Sequence, residues 1–213
     1  DKVVLLENSR SRQYEAQSGI IALNQQNKLL PNHTSLFAKN LDKSSKKLLV
    51  LESELNQIKL TKTYGLADDG YAVRVNHQVE NKSNDSIDIG IYLQLLRDSG
   101  DPVGGSSFYH TYTGPVVYSE EEKFQKVPFS DIKDKKTEHI KTAKNGWIGM
   151  IQHYYVSAWI LNNNREREFY TRTLRDDLFT VGTIQSLESL RPAEIVSYES
   201  ILYIGPQYQE TLK

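Results

Sequence analysis

A mainly β chain folded as a sandwich is predicted by three observations. Several runs alternate apolar with polar residues, one central stretch is apolar on both faces, and the composition holds 13 Tyr, one Met and no Cys. In chain order, Leu48-Leu49-Val50-Leu51 comes first. The spacing of Leu48, Leu51 and Leu55 also suits a helix, but the run reads as a short strand leading into the next one. There Ile58, Leu60, Lys62 and Tyr64 alternate. From Tyr71 to Val79, Tyr71, Val73, Val75, His77 and Val79 alternate with Ala72, Arg74, Asn76 and Gln78. A period of two marks a strand with one buried and one wet face. Asp68-Asp69-Gly70 between these runs is a tight-turn signal, so the two read as a hairpin.

Ile87, Ile89, Ile91, Leu93 and Leu95 give a further one-sided strand after the polar loop Asn81 to Asp85. The stretch Trp147 to Leu161 is apolar on both sides, with Trp147, Ile151, Tyr155 and Trp159 on one and Ile148, Met150, Tyr154, Val156 and Ile160 on the other. A strand covered on both faces belongs at the centre of a sandwich, and Gly149 within it signals a bend, a bulge or a close backbone approach. Val196, Tyr198, Ser200, Leu202 and Ile204 form a last strand, and Pro206 to Lys213 reads as the first turn of a short C-terminal helix. Loops are expected at Gly100 to Ser107, Ser119 to Lys123 and Asn162 to Glu168. No shift of composition divides the chain, so one domain over residues 1–213 is expected.

Charge and composition exclude several classes. The 26 Lys+Arg and 27 Asp+Glu leave a net charge of -1, without the basic excess of a nucleic-acid binder. No cysteine means no disulfide, thiolate nucleophile or zinc–thiolate site. Mean hydropathy is -0.56. The longest apolar stretch, Trp147 to Leu161, is broken by Gln152, His153 and Ser157 and falls short of the roughly 20 residues of a membrane-spanning helix. A start at Asp1 without a basic and apolar leader reads as a processed protein or an excised piece, any anchor lying outside it.

Candidate chemistry is sparse. His33, His77, His110, His139 and His153 show no metal-ligand spacing, and no metal or cofactor is expected. His77 and His153 read as core histidines; a pocket pairing of His110 or His153 with a carboxylate could serve as acid and base, but no carboxylate stands at a diagnostic offset. Glu120-Glu121-Glu122 and the run Asp131 to Lys136 read as solvated loops. Gly104-Gly105-Ser106-Ser107 lacks the lysine and helix start of a phosphate loop. Trp147, Tyr154, Tyr155 and Trp159 could stack on a sugar, but at strand spacing they read as core aromatics.

Five blocks together carry a family resemblance. Asn145-Gly146-Trp147-Ile148-Gly149-Met150-Ile151-Gln152-His153-Tyr154-Tyr155-Val156-Ser157-Ala158-Trp159 resembles the G-G-W…M-x-Q-x-Y-F-x-x-A-W signature of the YidC membrane protein insertase family. Asp69-Gly70-Tyr71-Ala72-Val73-Arg74-Val75 is similar to its G-D-Y-A-V-x-V hairpin. Thr113 to Ser119, followed by Lys123, Lys126 and Phe129-Ser130-Asp131-Ile132, resembles its G-x-x-Y-S…K-x-x-F-x-D-I block. Tyr14 to Gly19 and Leu202 to Pro206 resemble an early Y-x-A-Q-S-G and a closing L-Y-I-G-P. Asn145 in place of the first Gly, and the lack of a proline after Ile160, are departures at turns.

The resemblance implies the large periplasmic domain of that family, a galactose-mutarotase-like β-supersandwich with its first strands and last helices trimmed. It implies a place on the periplasmic side of a Gram-negative inner membrane. It further implies a domain that is not an enzyme, in an insertase working alone or with the Sec translocon. Its expected partners are SecD and SecF, nascent membrane-protein clients and the rest of the insertase; no nucleic acid is expected. No catalytic residue carries over. The expected partner-facing stretch runs from about Gly104 to Lys144, with Tyr118, Lys123, Phe124, Lys126 and Phe129 as contacts, unless these aromatics pack under their own loop. A cleft for extended segments or a small ligand, and a carbohydrate epimerase of the same fold, are the alternatives.

Overall fold

A computed structural model describes residues 4–10, 12–25, 27–67, 70–100, 111–175 and 177–207. Their regular structure is almost wholly β. The first strands are β1 (Glu7–Asn8), β2 (Gln13–Ala22), β3 (Ala38–Lys39), β4 (Leu48–Leu55), β5 (Ile58–Leu66) and β6 (Ala72–Asn81). There follow β7 (Ile89–Asp98), β8 (Thr113–Ser119), β9 (Lys123–Lys126) and the short helix α1 (Phe129–Lys133). The chain closes with β10 (Thr142–Ala143), β11 (Trp147–Gln152), β12 (Tyr155–Ile160), β13 (Arg167–Arg175), β14 (Leu178–Ser186) and β15 (Ile195–Pro206). They form a six-stranded sheet, β1-β2-β7-β14-β13-β10, and a nine-stranded sheet, β3-β4-β5-β6-β15-β12-β11-β8-β9.

The chain divides into two compact units, one of Asp1–Gln17, Gln94–Thr183 and Tyr203–Lys213, the other of Ser18–Leu93 and Ile184–Leu202. In the second unit β4, β5 and β6 form an antiparallel meander with Leu60 opposite Val79 and Lys62 opposite His77. The 48–55 segment is thus a strand, and the 58–64 and 71–79 runs form the expected hairpin. Val75, His77 and Val79 are buried as the period of two requires. Asp68 and Asp69 of the turn lie outside the described residues, while Gly70 has a positive φ of 75°. The two sheets face each other here: His77 Nε2 lies 2.8 Å from Ser18 Oγ on β2, and Lys62 Nζ donates to the Ser18 carbonyl at 2.7 Å.

One expectation in this unit is corrected. The 87–95 run is not one-sided, because Gly90 and Tyr92 are buried along with Ile89, Ile91 and Leu93. The loop around Pro31 to His33 covers the other face: Ile20 N–H donates to Pro31 O, and His33 N–H donates to the Tyr92 hydroxyl. Cover from a distant loop leaves no mark on local alternation. Ile87 precedes the strand and bridges to Leu190.

In the first unit the Trp147–Leu161 segment is β, but it is a hairpin rather than a single strand. Trp147 pairs with Ile160 and Gln152 with Tyr155, and the chain reverses at His153, whose φ is +55°. The polar interruption at Gln152 and His153 marks that reversal. Both strands are apolar on both faces because the six-stranded sheet covers one side, while on the other Trp147, Ile151, Val156 and Ala158 cluster with Val116 and Tyr203 under Tyr112 and Tyr118. Tyr14 of β2 donates its hydroxyl to Met150 O at 3.3 Å, and Trp159 Nε1 donates to Gln94 O of β7 at 3.1 Å. Pro206 ends β15, its carbonyl accepting the Tyr203 hydroxyl at 2.7 Å, instead of opening a helix. The rest of the expected C-terminal helix, 208–213, lies outside the described residues.

Candidate functional site

The turn between β8 and β9 fixes the site. Ser119 Oγ accepts Glu122 N–H at 3.0 Å, and Lys123 takes a φ of +57°, so the chain reverses within the expected 119–123 loop. The resulting register sets Phe124 opposite Tyr118, and Tyr118 opposite Trp147. Residues directly opposite on neighbouring strands share a face, so three aromatic side chains from three strands form one row. The Tyr118 and Trp147 rings stack with centroids 5.5 Å apart and 17° between planes; Phe124 tilts against Trp147 at 6.1 Å. Offset aromatic pairs of this kind contribute about 1 kcal/mol each beyond their burial.

Beside this row opens a cleft of about 620 Å³, its floor made by Trp147, Ile151 and Val156 and its walls by Tyr112, Phe124 and Lys126. Tyr112 is held by two hydrogen bonds, donating to Pro115 O at 2.5 Å and accepting Val127 N–H at 3.0 Å. Burial pushes its phenol well above the ordinary range. The Lys126 ammonium stands 5.0 Å over the Tyr112 ring, a cation–π contact worth about 0.5–1 kcal/mol at an exposed site. At the far end, the Gln207 N–H donates to Tyr154 O at 2.8 Å, tying the end of β15 to the hairpin turn.

Two features near the cleft depend on special backbone. Gly146 has a φ of +104°, and a Cβ there would lie 2.0 Å from Tyr118 O, so only glycine lets Trp147 enter the sheet beside Tyr118. At Gly149 a Cβ would meet the Trp147 ring at 3.0 Å and Val116 at 3.1 Å, which is the close approach that the sequence signalled. Asn145, in place of the family's first glycine, accepts Glu120 N–H on its side-chain oxygen at 2.9 Å and ties the two turns together.

Of the five expected contacts, Tyr118, Phe124 and Lys126 line the cleft. Lys123 sits at the exposed turn, outside the lining. Phe129 lies on α1 and packs against Phe179 at 5.0 Å, away from the aromatic row. The site therefore joins three of the five and adds Trp147 and Val156, which the sequence reads as core, and Tyr112, which lies in the expected partner-facing stretch without being singled out. The β8–β11 register is the signal that unites them, and it is not a local property.

Arg167 was missed altogether. It is 1 % exposed and donates to Gly146 O at 2.9 Å, Leu161 O and Lys144 O at 3.2 Å, Arg165 O at 3.3 Å and Asn163 Oδ1 at 3.0 Å, with Asn163 O a further partner. Burial lowers its pKa to about 10. This one guanidinium fastens both ends of the β11–β12 hairpin to the start of β13.

The histidines are held by hydroxyls and carbonyls. His77 is fully buried, and burial holds its pKa near 3, with the Lys62 charge adding to the effect. His139 Nδ1 lies 2.7 Å from Ile140 O, His33 Nδ1 lies 2.5 Å from the Tyr92 hydroxyl, and His153 Nδ1 meets Thr111 Oγ1. His110 and the 104–107 glycine–serine run lie outside the described residues. Among the described residues no three His, Asp or Glu side chains gather to hold a metal, and no helix is long and apolar enough to cross a membrane.

Two sheets layered in this order define the class of galactose-mutarotase-like β folds. A galactose mutarotase related enzyme from Lactobacillus acidophilus superposes with a TM-score of 0.55 at 8% identity, over 85% of this chain and 76% of that one. A galactose mutarotase-like protein from Lactobacillus casei gives 0.52 at 10% identity, over 89% and 84%. The family described as the YidC periplasmic domain matches residues 1–213, and the chain belongs to it. The membrane protein insertase YidC of Janthinobacterium sp. (strain Marseille) is 39% identical over 99% of this chain, and that of Bordetella avium 40% over 99%. The chain spans 37% and 38% of those relatives' lengths.

Proposed function

We propose that the chain is the periplasmic docking domain of an inner-membrane insertase, in a Gram-negative envelope, acting without catalysis of its own. The observation that carries this is the aromatic cleft beside β9. It is a preformed apolar hollow with the Lys126 ammonium at its rim, a form suited to holding a partner segment. The partners are SecD and SecF or the emerging periplasmic segments of clients, and the membrane-embedded part performs insertion. Phe124→Ala combined with Lys126→Glu, in the insertase that carries this chain, should cut recovery of SecF or of cross-linked client at least tenfold. Unchanged recovery of both would remove the cleft from the docking reading.

A second reading is a sugar ligand, favoured by the stacked Tyr118 and Trp147 rings at the cleft. It predicts a saturable change in tryptophan fluorescence with hexoses, which the docking reading does not.

A further inference from the structure

The nine-stranded sheet ends at β9. Among the described residues, the strands that terminate the two sheets are β1, β3 and β10, of two residues each, and β9, of four. The ladder to β8 fixes which way the backbone groups of β9 point. Val127 N–H donates to Pro115 O at 2.9 Å, and the register pairs Gln125 with Val117 and Lys123 with Ser119. Hydrogen-bonded and non-bonded pairs alternate along an antiparallel ladder. Lys123, Gln125 and Val127 therefore spend their backbone groups on β8, while Phe124 and Lys126 turn theirs outward.

Neither Phe124 nor Lys126 has a backbone hydrogen-bond partner among the described residues, and both side chains stand on the cleft side of the sheet. Phe124 is 44% exposed. Lys126 lies over the Tyr112 ring, and among the described residues it has no carboxylate partner. At the opposite end of the strand lies the exposed acidic turn Glu120 to Glu122.

We infer that β9 accepts an extended polypeptide segment as a tenth strand, with one apolar side chain in the cleft and a carboxylate opposite Lys126. The proposal rests on the docking reading and names its mode. Two outward N–H and two outward C=O groups supply the main-chain hydrogen bonds, and side chains two apart on the added strand stand on the cleft face. The charge gradient along β9 orients the segment, with a cation toward Glu120–Glu122 and a carboxylate toward Lys126. The two-residue edges offer no ladder of this length.

The test uses this chain and synthetic peptides of alternating Val and Thr, carrying Lys at one end and Glu at the other, in both orders. One order should bind at least tenfold more tightly than the other, quench or shift tryptophan emission, and slow amide exchange at Phe124 and Lys126 by tenfold or more. N-methylation of alternate peptide amides separates backbone pairing from side-chain packing. Methylation on the edge-facing amides should abolish binding, and on the other amides should leave it. Binding that ignores the methylation pattern, or that leaves the Phe124 and Lys126 amides unprotected, overturns strand addition. Loss of partner capture in the Phe124→Ala, Lys126→Glu protein would still uphold docking in that case, so the two readings fail separately.

Discussion

Lys62 is held in the second unit at 5 % exposure, with a carbonyl at 2.7 Å and the Phe37 ring 4.7 Å away, and burial depresses its pKa to about 8. A folded-state value below the unfolded one disfavours folding wherever the unfolded chain holds the extra proton. The penalty is full below pH 8 and fades as pH rises toward 10.5, amounting to about 3 kcal/mol. Lys62→Met should therefore stabilise the chain near pH 7 by about 2 kcal/mol, after about 1 kcal/mol is lost with the bond to Ser18. Above pH 10 the buried hydroxyls of Tyr14 and Tyr92, pushed to about 12, act in the opposite sense. Denaturant unfolding across pH should thus peak near pH 10. It should also weaken as pH falls from about 6.5 toward 3, where unfolded His77 takes up a proton that the folded one refuses. The burial of His77 was legible from alternation alone, and Lys62 stood in an alternating run. What the sequence did not carry is that Ser18 of another sheet receives both.

At the scale of elements, strands were legible and their pairings were not. The β5–β6 hairpin follows from two alternating runs around a turn signal, whereas the β11–β12 hairpin was read as one strand because both halves are buried on both faces. The cleft depends on that second hairpin and on its clamp. Arg167→Leu leaves several carbonyls unpaired and should cost about 3–5 kcal/mol by denaturant unfolding. Arg167 escaped the sequence reading because its partners are backbone carbonyls, which have no residue signature. Gly146→Ala forces a side chain against Tyr118 O at a positive φ and should cost about 3 kcal/mol, with loss of the Tyr118–Trp147 stack visible in near-ultraviolet circular dichroism. Equal stability of the alanine variant would show that the sheet can shift at that point.

For the whole molecule, the fold class was legible from periodicity, and the family from five ordered blocks. The cleft was legible only in part, since three of its residues were named from the resemblance and the others arrive through strand pairing. Among the described residues the sheets end on strands of two to four residues, and the longest of these carries a lysine at each end. Charged and short edges restrain sheet-to-sheet association. Lys123→Val with Lys126→Val should thus drive concentration-dependent self-association, seen as rising mass in light scattering, while the native chain keeps one mass across the same range. A constant mass for the double variant would mean that strand length alone guards the edge.

The brevity of those borders has a bearing on life in the envelope. A sheet protein that meets unfolded chains is at risk of being a template, and one long flat margin would be enough to seed fibrils. Among the described residues three borders are two residues long, and the fourth admits one short partner between two ammonium groups, too little to start a growing stack.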